Sequence, residues 1–103
     1  MPEHPNGRRS YEIHGSGVIA DALRQIQRQA AREGRGPQIL AALRLIRKRL
    51  QRDPNKVGEP LYRLASLRLQ VRTVVIGPLM VHFAVHEARP LVFLKGVKLL
   101  SES

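Results

Sequence analysis

The sequence of 103 residues contains no cysteine, so it can form neither a disulfide nor a cysteine-ligated zinc site, and it has no thiol nucleophile. Tryptophan is also absent and aromatic residues make up only 4% of the chain, which leaves leucine, isoleucine and valine to build the core. No apolar run is long enough to span a bilayer, and residues 1–9 lack the apolar segment of a signal peptide. Together these absences favour a cytoplasmic, globular protein.

Acidic residues are scarce as well: eight Asp and Glu stand against eighteen Lys and Arg, which gives a formal net charge of +10. Arginine outnumbers lysine by fourteen to four. Because the arginine fork matches phosphate oxygens in pairs, this composition favours a nucleic-acid partner. The alternative is that the positive charge serves only solubility.

Residues 10–100 are expected to form a single domain between an N-terminal tail, residues 1–9, and a C-terminal tail, residues 101–103. Residues 11–14 alternate apolar and polar side chains before a Gly-Ser-Gly turn, which predicts a short first strand.

Two helices follow. Apolar residues recur at helical spacing over residues 18–33, and a second stripe, with Ile39 and Leu50 near its ends, predicts a helix that begins near Pro37 and ends before Asp53. Since the loop between them is short, the two helices should pack as an antiparallel hairpin.

After Asp53 apolar residues recur at every second position, which is the period of a β-strand. Residues 61–64, 67–76, 79–86 and 91–100 are predicted strands, with a bulge or break at Gly96 in the last. The expected fold is therefore α+β: a short strand, a helical hairpin and an antiparallel strand meander, with the helices on one face of the sheet.

Alternation along the strands predicts which side chains share a face. If Leu67, Leu69 and Val71 point towards the helices, the opposite face carries Arg68, Gln70, Arg72, His82 and His86. Arginine and histidine together suit phosphate binding and proton transfer, although a sheet face of this kind can also be merely solvated. His82 and His86 are roughly 13 Å apart along an extended strand, too far to share a metal ion.

Five cations within nine residues of the second helix form another basic surface, which could follow a phosphate backbone, contact an acidic partner helix or simply be solvated. They are Arg44, Arg47, Lys48, Arg49 and Arg52. The candidate nucleic-acid contacts are Arg44, Arg47, Lys48, Arg63, Arg68 and Lys95.

The order of elements, together with the stretches RLQRDPNKVGEPLYRLASLRLQVR and PLVFLKGVKLL, resembles the RelE/ParE superfamily of bacterial toxin-antitoxin toxins. Residues 69–72 and 94–98 look like two strands of its HigB-like branch. The resemblance implies a ribosome-dependent mRNA endonuclease that needs no metal or cofactor and is silenced by an acidic antitoxin. DNA gyrase is the alternative target.

In such an enzyme the RNA 2′-hydroxyl attacks the adjacent phosphate. The resemblance implies that Arg72 and Lys98 stabilise the phosphate and that His82 or His86 acts as acid or base. The chain departs from the family where Met80 replaces a common arginine and Phe83 a common tyrosine. The alternatives are therefore a toxin fold that binds gyrase or nucleic acid without cutting, and a degenerate toxin fold without toxicity.

Overall fold

The computed structural model describes residues 10–100; the predicted tails at residues 1–9 and 101–103 lie outside the described residues. The elements are β1 (Glu12–His14), α1 (Gly17–Arg32), α2 (Gly36–Arg52), β2 (Glu59–Leu64), β3 (Leu69–Ile76), β4 (Leu79–His86) and β5 (Leu91–Leu99), with single 3₁₀ turns at Pro54–Lys56 and Ala65–Leu67. The predicted α+β class is confirmed. No helix within residues 10–100 has both the length and the apolar character needed to cross a membrane.

Local sequence explains where the helices begin and end. The Ser16 hydroxyl accepts a hydrogen bond from the backbone N–H of Ile19 (3.4 Å), which caps the start of α1. Pro37 lies in the first turn of α2, where its missing N–H costs nothing. Both helices bury one apolar stripe against the sheet and expose the rest of their surface.

The sheet has the strand order β1-β5-β4-β3-β2. The β2–β3, β3–β4 and β4–β5 pairs are antiparallel as expected, but β1 pairs with β5 in parallel, so the sheet is mixed and the prediction of a purely antiparallel meander needs correction. The reason is that no hairpin turn joins β1 to its neighbour. The helical hairpin carries the chain away instead, and β5 reaches β1 only at the end of the domain.

The core lies between the helical hairpin and one face of the sheet. Its fully buried large side chains come from α2 and from the central strands, with Phe83 at 0% exposure. The residues of this group are Ile39, Leu50, Leu79, Val81, Phe83, Val85 and Val92. Burial of such aliphatic side chains stabilises a fold by about 1.5–3 kcal/mol each.

The predicted orientation of β3 is wrong. Val74 lies opposite Val81 and Ile76 opposite Leu79, and all four pack in or against the core. Because side chains alternate, Gln70 and Arg72 point to the helix side too, whereas Leu69 and Val71 point to the opposite face.

Two features hide this orientation in the sequence. Leu67 belongs to a 3₁₀ turn and Arg68 has a left-handed backbone (φ 56°), so the strand alternation predicted from residue 67 begins only at Leu69. The predicted irregularity at Gly96 is confirmed: Phe83 pairs with Leu94 and His82 with Gly96, which leaves Lys95 as the extra residue of a bulge.

Gly58 gives the first testable prediction. It has φ 65°, and a Cβ atom there would lie 2.0 Å from the carbonyl oxygen of Thr73. We expect Gly58→Ala to destabilise the protein by more than about 3 kcal/mol, since left-handed strain adds to a clash with backbone. Gly34→Ala is the matched control: φ is 73° but the space is open, so only about 1 kcal/mol is expected. Urea unfolding measures both, and equal losses would contradict the close approach.

Candidate functional site

We call the side of the sheet that faces away from the helices the open face. Its central row across β3, β4 and β5 is Thr73, His82 and Gly96, which are register partners. Met80 and Lys98 form the next row on one side, and the row on the other side includes Ala84 and Phe93. Histidine and lysine therefore meet on the side of the sheet away from the helices, where Val71 and Ala84 of the neighbouring row are buried.

His82 and Thr73 are half-buried, and they carry polar atoms that the protein itself does not satisfy. Nδ1 of His82 and Oγ1 of Thr73 are buried atoms without a hydrogen-bond partner within residues 10–100. In a regular antiparallel pair such side chains have Cβ atoms about 4.5–5.5 Å apart. Buried polar groups normally find partners, but both atoms are closed off from solvent, so a ligand reaches them only after a side chain rotates.

Lys98 supplies the positive charge of this surface. It is exposed on β5 opposite Met80, so it is a diagonal neighbour of His82 on the same face. Diagonal neighbours are about 7–8 Å apart, a span that one phosphate group and its ester oxygens can bridge. The imidazole and the ammonium group can therefore act on the same anion.

Aromatic side chains border the same face. The ring of Phe93 stacks on that of His14, with centroids 5.6 Å apart and planes 29° apart. Tyr62 lies opposite Val71 at the β2 edge and is 51% exposed. Exposed rings beside cations are what single-stranded nucleic acid requires for base stacking.

Arg72 does not belong to this surface, contrary to the predicted Arg/His face. It points to the helix side, where Nε donates to the carbonyl of Val57 (3.0 Å) and Nη2 to that of Gly58 (3.2 Å). These contacts tie β3 to the segment that leads into β2. The position of Arg72 therefore favours a structural role for it.

His86 lies on the open face, but its Nδ1 atom is already hydrogen-bonded within the protein. It accepts hydrogen bonds from the backbone N–H groups of Ala88 (3.0 Å) and Arg89 (3.1 Å). The proton of the neutral ring must then be on Nε2. His86 thus organises the turn between β4 and β5.

The other predicted basic contacts are dispersed. Arg63 forms a two-pronged ion pair with Glu87, with Nη2 to Oε1 at 2.9 Å, and this hydrogen bonding lowers the pKa of the Glu87 carboxyl. Arg68 and Lys95 are exposed in a left-handed turn and in the β5 bulge. The predicted contacts on α2, Arg44, Arg47 and Lys48, are exposed on the helix layer. The structure therefore brings His82, His86 and Lys98 to one face and separates them from the α2 cations.

Two cavities lie elsewhere. One of about 360 Å³ lies between the hairpin and the sheet and is mainly apolar, with Arg47 at its wall. The other, of about 580 Å³, lies between α2 and the β3–β4 turn. None of the predicted catalytic residues lines either of them. Within residues 10–100 there is also no group of three His, Cys, Asp or Glu side chains placed to hold a metal ion.

Sequence reasoning missed Thr73. A lone threonine in a strand carries no signal of its own, and only the register with His82 distinguishes it.

No protein-family model matches the chain, and searches of curated proteins and of solved structures found no significant match.

The Arg72 contacts generate a second prediction. Arg72→Met keeps the aliphatic stem but removes both hydrogen bonds to backbone carbonyls, so a loss of about 1.5–3 kcal/mol is expected. Arg72→Lys retains a donor and should lose about half as much. Urea unfolding of the two variants gives the values. A stable Arg72→Met protein without biological activity would contradict the structural role.

The turn after β4 generates a third. His86→Leu should cost about 1–2 kcal/mol, because two backbone N–H groups lose their acceptor. In His86→Asn the side-chain oxygen replaces Nδ1 at the same distance along the side chain, so most of the stability should remain. Thermal unfolding tests this order, and equal stability of the two variants would count against the turn contact.

Proposed function

We propose that the protein is a toxin of the RelE/ParE type that acts on translated mRNA as a metal-free endoribonuclease, with its site on the open face. The observation that carries the proposal is the placement of His82 as a diagonal neighbour of the exposed Lys98, on the side of the sheet that faces away from the helices. The order of elements also supports the proposal: a short strand, a helical hairpin and then four strands is the order on which the resemblance rests.

In this mechanism His82 accepts the proton of the RNA 2′-hydroxyl, and the 2′-oxygen forms a bond to the adjacent phosphorus. The bond from phosphorus to the 5′-oxygen breaks, and that oxygen takes a proton from solvent. Lys98 offsets the negative charge that gathers on the phosphate oxygens. Arg72 has no part in these steps, and His86 is too far along β4 to act on the same phosphate.

The proposed partner is an acidic antitoxin, which the net charge of +10 would attract. A second function, binding of gyrase or nucleic acid without cleavage, is favoured by one observation: Met80 and Phe83 occupy the positions where the family commonly has arginine and tyrosine. The cations of the open face then serve binding alone.

Induced expression in bacteria tests both proposals. We expect growth arrest together with new cleavage sites inside translated messages, mapped by primer extension. His82→Ala and Lys98→Met should each reduce cleavage by about 10²–10⁴-fold, the usual contribution of a proton-transfer or charge-stabilising group. His86→Asn, which keeps an acceptor for the backbone N–H groups of Ala88 and Arg89, is the control and should still cleave.

Arrest without cleavage would reject the endonuclease and support the binding toxin. Absence of arrest would reject a toxin of either kind and leave a degenerate toxin fold or a plain binding domain. Retained cleavage in a folded His82→Ala variant would show that the site has been placed on the wrong residues.

A further inference from the structure

The cavity of about 360 Å³ lies on the side of the sheet opposite the open face, between the sheet and the helical hairpin. Val81 of β4 and two side chains of β5 line it from the sheet. Leu23 of α1 and Leu43 of α2 are among the residues that line it from the hairpin. Both layers of the domain therefore present aliphatic side chains to the same space.

The bulge in β5 helps to form the wall on the side of the sheet. Residues three apart on a regular strand point to opposite faces. Because Lys95 is an extra residue, Leu94 pairs with Phe83 and Val97 pairs with Val81, and both partners are buried in the core. Leu94 and Val97 thus both point to the helix side, where they line the cavity.

The apolar wall is incompletely packed. Leu43, Leu94 and Val97 pack against the core, yet each is only half-buried. Protein interiors are close-packed and contain few spaces larger than a water molecule. An ordered water needs two to four polar partners, which aliphatic side chains do not provide. An apolar ligand would therefore displace solvent from this cavity at a gain in free energy.

One end of the cavity is polar and positively charged. Arg47 lines it and is exposed, so the cavity opens to solvent beside the guanidinium group. Gln51 lines it one helical turn later and offers an amide donor. The lining residues include no Asp or Glu, and within residues 10–100 Arg47 forms no ion pair. This end therefore favours an anion and disfavours a cation.

The charge and the volume together indicate the class of ligand. A single arginine fork matches the two oxygens of one carboxylate. An apolar cavity of about 150 Å³ accepts benzene, so a cavity of about 360 Å³ has room for roughly twelve to fourteen non-hydrogen atoms. Decanoate and dodecanoate have this size, with an apolar chain and one terminal carboxylate.

We propose that the cavity between the hairpin and the sheet binds an aliphatic monocarboxylate. The hydrocarbon chain lies between the two layers, and the carboxylate pairs with Arg47 and accepts a hydrogen bond from the Gln51 amide. This site shares no residue with the open face, so it does not depend on whether the open face cleaves RNA.

The test is isothermal titration calorimetry of the purified protein with sodium hexanoate, octanoate, decanoate and tetradecanoate, and with decanol and decylamine. We expect one site, with an affinity that rises about threefold to fourfold for each CH₂ group up to decanoate. The rise should stop before tetradecanoate, because its chain exceeds the cavity. Decanol and decylamine should bind at least about tenfold more weakly than decanoate, since neither pairs with a guanidinium group.

Two variants test the two ends of the site. Arg47→Met should weaken decanoate binding by about 10- to 100-fold and leave the affinity for decanol unchanged. Its matched control is Arg49→Met, which removes the same charge from an exposed position of α2 that does not line the cavity. The control should stay within about twofold of the parent protein, because solvent and salt screen the distant charge. Val97→Phe fills the space beside β5 and should abolish binding of every chain.

Circular dichroism shows whether the variants are folded, and Arg47 and Arg49 are surface positions where methionine is a good helix former. Absence of saturable decanoate binding would overturn the proposal. So would equal losses in Arg47→Met and Arg49→Met, equal affinity for decanol, or full binding by a folded Val97→Phe protein. Because only binding is measured, a failed cleavage assay leaves this result unaffected.

Discussion

The packing of Val74 and Ile76 of β3 against the helix side of the sheet fixes the orientation of that strand, and the placement of every other side chain on β3 follows from it. With a period of two, nothing on this strand can turn over unless these two residues leave the core. Arg72 is thereby directed to the helix side, and Thr73 to the open face beside His82. One apolar contact thus determines which polar groups can form a site.

The orientation of β3 also determines what Arg72 contacts. Its strand extends past the end of α2, where Val57 is buried and the chain crosses close over the backbone at Thr73. The carbonyls of Val57 and Gly58 need donors there, and the guanidinium group supplies two. An arginine that looks catalytic in the sequence is therefore occupied by main-chain oxygens.

These features show what the sequence could and could not reveal. The helices were predictable because each has one apolar stripe and clear stop signals, Gly34 and Pro54 among them. The orientation of β3 was not, since Leu69 and Val71 on one side are as apolar as Val74 and Ile76 on the other. Only the position of α2 above the second pair decides between them. The pairing of His82 with Thr73 depends on that orientation, so the sequence alone does not predict it.

The two charged surfaces differ in how far they act. The exposed cations of α2, among them Arg44, Lys48 and Arg52, lie on the far side of a helix layer and a sheet, more than about 10 Å from the open face, which is about one Debye length at 0.1 M salt. Their field is therefore largely screened at His82. The exposed cation nearest to His82 on the open face is Lys98, so an anion bound there would be attracted mainly by Lys98. The exposed cations of α2 contribute to the long-range attraction of a polyanion, whereas only the side chains of the open face could contact an anion bound there.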